Sequence, residues 1–404
     1  MSLRFVFGPS GAGKSRRLYQ EVIARAKENP RQNFLVIVPD QFTLQTQKDL
    51  VLLNEQGGIL NIDVLSFGRL GHRILEEVGG GDFPVLDDTG KSLVLQKIAA
   101  GMKEKLPALG GFLHRQGYIH EVKSALSEFM QYGVGVEELE ELIAYAAGRG
   151  ALAVKLLDLK TLYQGFLEYI HDKFITTEET LDVLRRSLHK SRLLSGSVVV
   201  FDGFTGFTPI QNRVIAELMR LCSEVVVTFT LGEGEDAYTV DGEQKLAADL
   251  DRLAKENGVE RGQDVFVLPG AEGMEKDLHS GQRCRIWCNN FSRFSSSPAL
   301  RFLEKNLFRF GSDTFCGQQE EIRIFETVRT RDEVHQAGLE IVRLIREEGL
   351  SYRDIAVVMG SLAEYAPYVE TEFSQLEIPF YLDQTRGIVL NPMIEYIKSA
   401  LELY

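Results

Sequence analysis

No stretch of this sequence is apolar for the length that a membrane-spanning helix needs, and the N-terminus lacks the basic-then-apolar order of a secretory signal. Both absences predict a cytoplasmic protein with no membrane partner. Cysteine is scarce: Cys222, Cys284, Cys288 and Cys316 are the only four, which fits a reducing compartment. Cys284 and Cys288 stand four apart, but no second pair or histidine cluster completes a set of metal ligands. The seven histidines are scattered, and neither H-E-x-x-H nor G-x-S-x-G occurs. Positive charge is also in deficit. With 45 Lys and Arg against 58 Asp and Glu, the net charge of −13 argues against a simple polyanion-binding surface but leaves room for a local basic groove. Any role on nucleic acid must be carried by motifs.

The bulk composition, 44% hydrophobic and 25% charged, is that of a globular protein, and 404 residues exceed one ordinary core, so two or three domains are expected. The most informative feature comes first in the chain. Gly8-Pro9-Ser10-Gly11-Ala12-Gly13-Lys14-Ser15 spells G-x-x-x-x-G-K-S between a short strand, Leu3 to Phe7, and a helical pattern from Arg16 to Ile23. This is the setting of a P-loop. Glycines let successive backbone N–H groups turn toward phosphate oxygens, and the helix N-terminus adds its positive end to the same anion. Lys14 is then expected to reach the β/γ-phosphates of ATP and Ser15 to ligate Mg²⁺.

Further along, Phe34 to Pro39 and Asn61 to Phe67 read as strands with helices between and after them, the alternation of a parallel sheet. From about Asp87 to Lys190 the pattern is helical, notably at Lys91–Lys103, Ile119–Tyr132, Val136–Ala147 and Leu152–Phe174. Strands return at Ser197–Asp202 and Glu224–Thr230, both rich in β-branched residues. The predicted organisation is a P-loop domain made of residues 1–86 and 191–270, a helical insertion at 87–190, a linker or mobile loop at 271–298, and the start of a second α/β domain at 299–404. That last part opens with a helix from Pro298 to Phe308. It continues with strands at Glu321–Glu326 and Asp354–Met359 around a helix from Arg331 to Glu348, and reads as the incomplete beginning of a domain of a longer protein.

Val198-Val199-Val200-Phe201-Asp202 has the form of a Walker B strand, whose terminal aspartate would hold Mg²⁺ with Ser15. The glutamate that usually follows, the base of active motors, is replaced by Gly203. Loss of a positioned base costs about 10² to 10⁴ in rate, so hydrolysis is expected to be weak or absent, and no catalytic residue is assigned. A strand-end turn or a helix cap is the plainer role for Asp202.

These motifs, in this order, resemble the N-terminal part of the AddB family, the B subunits of the bacterial AddAB helicase/deoxyribonucleases, related to UvrD-like superfamily 1 helicases. The resemblance rests on the opening strand and P-loop, Val38-Pro39-Asp40-Gln41-Phe42-Thr43, Val64-Leu65-Ser66-Phe67-Gly68-Arg69-Leu70, Asp202-Gly203-Phe204-Thr205-Gly206-Phe207-Thr208-Pro209, Ile355 to Val358 and Ile378 to Asp383. It implies an α/β fold with a RecA-like parallel sheet, a large helical insertion and the beginning of a second RecA-like domain. It also implies a heterodimer with an AddA-like motor that unwinds and degrades double-strand DNA ends in recombinational repair, with AddB implicated in recognising the hotspot sequence Chi. The family's nuclease domain and iron–sulfur cluster belong to a C-terminal part outside this chain.

Gly203, and Gly360 near where active relatives place a phosphate-sensing arginine, both depart from a motor. By analogy with helicase segments that touch single-stranded DNA, Phe42, Thr43, Ser66, Phe67 and Arg69 are the candidate DNA contacts. A ring can stack on a base, and hydroxyls and Arg69 can meet phosphates. A ring after a strand is equally what a core position looks like. Two alternatives stand beside the helicase-like reading: an autonomous ATP-driven translocase, and a P-loop small-molecule kinase.

Overall fold

The computed structural model describes residues 1–402 apart from 55–56, 59–60, 80–83, 113–114, 172, 177–178, 232–239, 269–274, 278–282, 289–292, 308–312 and 385–390. The chain divides into two compact units, Met1–Gly317 and Gln318–Tyr404. The first begins β1 (Ser2–Gly8), α1 (Lys14–Glu28), β2 (Phe34–Ile37), α2 (Thr43–Leu53), β3 (Ile62–Leu65) and α3 (Phe67–Val78). A helical excursion follows: β4 (Val85–Leu86), α4 (Asp88–Met102), α5 (Gln116–Tyr132), α6 (Val136–Tyr145), α7 (Gly150–Ile170), β5 (Ile175–Thr176) and α8 (Glu179–Ser187). The chain then returns through β6 (Val198–Phe201), α9 (Pro209–Leu221), β7 (Glu224–Thr230), α10 (Val240–Glu256), β8 (Glu260–Arg261), β9 (Val265–Leu268), β10 (Glu275–Asp277), β11 (Arg283–Cys288) and α11 (Pro298–Asn306).

Among the described residues the main sheet runs β10-β11-β9-β1-β7-β6-β2-β3, with β8 also pairing β1. Every ladder in it is parallel except β10 with β11. Its middle strands are buried on both faces, which is why Val-Val-Val-Phe and Glu-Val-Val-Val-Thr-Phe-Thr show no polar alternation. Residues two apart share a face. Leu3, Phe5, Phe7, Phe201, Val227 and Phe229 meet Leu70, Leu184 and Leu218 on one side, while Val6, Val36, Val200 and Val226 meet Leu18, Val22 and Leu50 on the other. Helices α1 and α2 thus cover one face, and α3, α8 and α9 the other. At the far edge of the sheet Glu224 accepts from Arg4 Nε at 3.0 Å and from Arg25 Nη1 at 2.6 Å, which fixes α1 along β1 and β7.

Helices α4 to α7 keep a core of their own around Leu95, Ile98, Leu126, Leu139, Leu162 and Phe166. The two ends of the excursion meet in a short parallel ladder, Leu86 opposite Thr176. Helix α8, expected within the helical insertion, packs on the sheet through Leu184, with Leu188 of the turn that follows it. Where the sequence reads as connector, β11 pairs in parallel with β9, Ile286 opposite Phe266, and takes up the side of β9 away from β1.

The second unit contains α12 (Thr330–Glu347), α13 (Leu362–Gln375) and α14 (Pro392–Glu402), with Val334, Ile341, Val369, Phe373 and Ile378 packed together. The expected strands at 321–326 and 354–359 are not strands here. A strand exists only against a hydrogen-bonding neighbour, and among the described residues no ladder includes either run. Ile324 and Val358 are each 92% exposed, while Ile355 and Met359 pack against the cluster without a strand partner among the described residues.

Candidate nucleotide site at the carboxyl edge of the sheet

In a parallel sheet all strands end on one edge, and the crevice there is where such folds bind ligands. The loop Gly8 to Ser15 leaves β1 at that edge and enters α1. Its glycines are required by geometry. A Cβ on Gly8 would lie 2.5 Å from the Val267 carbonyl oxygen of β9 and 3.2 Å from the Lys14 stem. Gly11 and Gly13 have φ of 71° and 84°, the left-handed region that other residues rarely adopt. Gly13 is the residue before the first turn of α1. Inside the loop, Ala12 N–H donates to the Pro9 carbonyl at 3.3 Å and Lys14 Nζ donates to the same oxygen at 2.9 Å. The ammonium is therefore folded over its own loop, and both Lys14 and Ser15 are half-buried.

Asp202 directly follows β6, and β7 lies between β6 and β1. It is 6% exposed, and both of its oxygens are engaged. Tyr19 Oη donates to Oδ2 at 2.6 Å and Thr228 Oγ1 donates to Oδ1 at 2.6 Å. Tyr19 follows Ser15 by four residues, so the two share one face of α1, and Asp202 is joined through Tyr19 to the face that carries Ser15. Burial first, and then the neighbouring Asp202 carboxylate, push the Tyr19 hydroxyl well above its ordinary value, so it stays a donor. Neither Tyr19 nor Thr228 was singled out by sequence reasoning. The helical spacing from Ser15 could have pointed to Tyr19, whereas only strand pairing brings Thr228 to Asp202.

Gly203 has φ of 78°, and a Cβ there would lie 3.8 Å from Pro39 and 3.9 Å from the Phe42 ring. The position is thus a left-handed turn, which an L-residue would occupy under strain. Behind it, Phe201, Phe204 and Phe207 form an aromatic cluster with Phe67, the Phe67 and Phe201 centroids being 5.7 Å apart. Helix α9 begins just after, with Thr208 as N-cap, Gln211 completing a reciprocal capping box and Pro209 in the first turn.

The candidate DNA contacts fall into two groups. Phe42 is 46% exposed beside Gly203, and Arg69 is exposed on the first turn of α3. The others face inward. Thr43 donates to the Asp40 carbonyl at 3.0 Å, Ser66 accepts the Arg69 N–H at 3.4 Å as N-cap of α3, and Phe67 is buried in the aromatic cluster.

Residues distant in sequence also reach the loop. Ser10 N–H donates to Glu304 Oε1 at 3.1 Å, and Arg293 N–H donates to the Gly11 carbonyl at 3.0 Å. A Cβ on Gly11 would meet the Phe294 ring at 2.8 Å. No sequence signal ties positions 293 to 304 to the loop almost three hundred residues earlier. Among the described residues no cluster of three or more His, Cys, Asp or Glu could hold a metal, and no helix is long and apolar enough to cross a membrane.

The family described as "ADDB, N-terminal" matches residues 5–304. Among curated relatives, the B subunit of an ATP-dependent helicase/deoxyribonuclease from Lachnoclostridium phytofermentans is 39% identical over 409 aligned positions, which take in 100% of this chain and 34% of the relative. Proteins of the same name from Desulforudis audaxviator and Acetivibrio thermocellus are 34% and 31% identical, again across 100% of this chain and 34% of their own length. The chain spans about a third of the length of these relatives.

Proposed function

The chain belongs to the AddB N-terminal family, and from that membership we propose that it is the ATP-binding, helicase-like segment of a protein that processes DNA double-strand ends in recombinational repair. The observation that carries this reading is the loop Gly8 to Ser15 at the carboxyl edge of β1, with a glycine wherever a Cβ or a negative φ would obstruct the turn. A RecA-like arrangement is the natural reading of β1 and β6 separated by β7, with the loop on the first and Asp202 on the second. In this arrangement the backbone N–H groups of residues 10–15 and Lys14 bind the β/γ-phosphates, Lys14 leaving the Pro9 carbonyl to do so. Ser15 would ligate Mg²⁺ directly. Asp202 would reach it through water once Tyr19 or Thr228 yields an oxygen. The donor set fits a magnesium nucleotide: one ammonium, one hydroxyl, one carboxylate and a turn of backbone donors.

Hydrolysis by this site is proposed to be weak or absent. At position 203 there is neither a carboxylate nor a backbone conformation suited to carrying one, and Asp202 is satisfied by two buried hydroxyls. Nucleotide would then act by stabilising one conformation rather than by driving a cycle. DNA binding, and with it a part in Chi recognition, is proposed for Phe42 and Arg69 on the same edge, with Thr43, Ser66 and Phe67 holding their backbone in place. An AddA-like protein is the proposed partner and motor, in the cytoplasm. The nuclease and iron–sulfur chemistry of the family are not proposed for these residues.

The test is calorimetric titration of Mg·ATP into the chain and into Lys14→Ala. The substitution should weaken ATP by about 100-fold, the size of a lost charge-assisted contact, without moving the melting temperature. Equal ATP affinity in the two proteins would remove the loop from the function.

A further inference from the structure

The phosphate loop carries an anion of its own. Glu304 lies in the last turn of α11, and its carboxylate accepts from Ser10 N–H, one of the donors that a bound triphosphate would use. We infer that Glu304 is an intramolecular stand-in for phosphate, and that α11 is a strap whose Glu304-bearing end nucleotide must displace. This deepens the nucleotide-binding reading of the loop and rests on it. Two anions at hydrogen-bond distance of one N–H repel each other, so contact with Glu304 and contact with phosphate exclude each other.

The build of α11 suits a strap hinged at one end. Ser297 caps the helix by accepting Leu300 N–H at 3.2 Å, and Ser297 and Ala299 are buried at 8% and 3% exposure. Toward the other end Leu303 and Leu307 are exposed, and among the described residues no member of α11 enters either apolar cluster of the sheet. Beyond its ring contact with Phe315, centroids 5.5 Å from Phe302, the end bearing Glu304 stands outside those clusters, while the cap and the buried first turn hold the other end in place. The turn of Arg293 and Phe294 adds a second hold on Gly11, through the Arg293 N–H bond and the apposed ring. Beyond α11 the chain leads to the second compact unit, which starts at Gln318.

The experiment pairs ATP titration with hydrogen–deuterium exchange on the chain as it stands, on Glu304→Gln, which keeps the shape and removes the charge, and on Glu304→Ala. ATP should bind Glu304→Gln about tenfold more tightly than the wild type, the worth of one charge-assisted hydrogen bond. Glu304→Ala should gain at least as much, and amides of residues 301–307 should exchange faster when ATP saturates the wild type. Unchanged ATP affinity in Glu304→Gln, together with unchanged exchange in α11 at saturation, would overturn the strap and leave the loop a nucleotide site. Weaker binding by Glu304→Gln would overturn it too, since that is the sign of a metal or ribose contact. Failure of all three proteins to bind ATP would instead remove the nucleotide reading, and the strap with it.

Discussion

Two turns at the same edge of the sheet differ in how their polar groups are satisfied. After β1 the donors and the ammonium are met by groups that can move: a carboxylate at the end of a lightly packed helix, and a carbonyl of the loop itself. After β6 the carboxylate is met by Tyr19 and Thr228, both buried and both at 2.6 Å, and the next residue is a left-handed glycine. On the proposed reading the first turn exchanges one anion for another. The second is already complete as a piece of protein. A site assembled from both would bind nucleotide and leave it intact, because affinity and hydrolysis depend on different strands.

The contrast can be broken most severely at Phe67, which backs the β6 turn through Phe201. Phe67→Ala should destabilise the first unit by about 3–5 kcal/mol, the cost of emptying a buried aromatic site, as measured by urea unfolding. A change below about 1 kcal/mol would show that the aromatic cluster does not support that edge. Tyr19→Phe comes next. It strips a donor from buried Asp202 and should cost about 1–3 kcal/mol in the absence of nucleotide. It should also make ATP affinity depend more steeply on Mg²⁺, since the freed oxygen becomes available to a metal-bound water. An identical Mg²⁺ titration in wild type and variant would mean that Asp202 takes no part in metal binding.

Gly203→Glu sharpens the comparison from the side of chemistry. Placing a side chain at φ of 78° should cost about 1–2 kcal/mol, and phosphate release should stay at background because the carboxylate would start from a strained backbone. Robust turnover by this variant would show that a single side chain separates the site from a motor. The smallest effect on stability is expected of Phe42→Ala, under about 0.5 kcal/mol for a half-exposed ring. The same change should weaken single-stranded DNA binding by about 1–3 kcal/mol if the ring stacks on a base. Undiminished DNA affinity would take Phe42 out of the interface.

Much of this edge is legible in the sequence alone. Gly8 to Ser15 announces itself because each residue type answers a local demand, and the Val-rich runs of β6 and β7 disclose burial on both faces. What stayed hidden is what only long-range pairing creates. Glu304 meets Ser10 across 294 positions, and Thr228 meets Asp202 because two parallel strands come into register. Phe42 and Phe67 look alike in sequence, each following a strand, yet one is exposed beside Gly203 and the other is enclosed by three phenylalanines. The runs at 321–326 and 354–359 have strand composition but, among the described residues, no strand partner, a difference that composition cannot express.

The separation of binding from hydrolysis is tested most directly by incubating the chain with Mg·ATP and measuring, in one sample, the nucleotide retained and the phosphate released. Retention of one nucleotide per chain, recovered as ATP with phosphate at background, is the expected result. Retention of nothing, or recovery as ADP with matching phosphate, would contradict it.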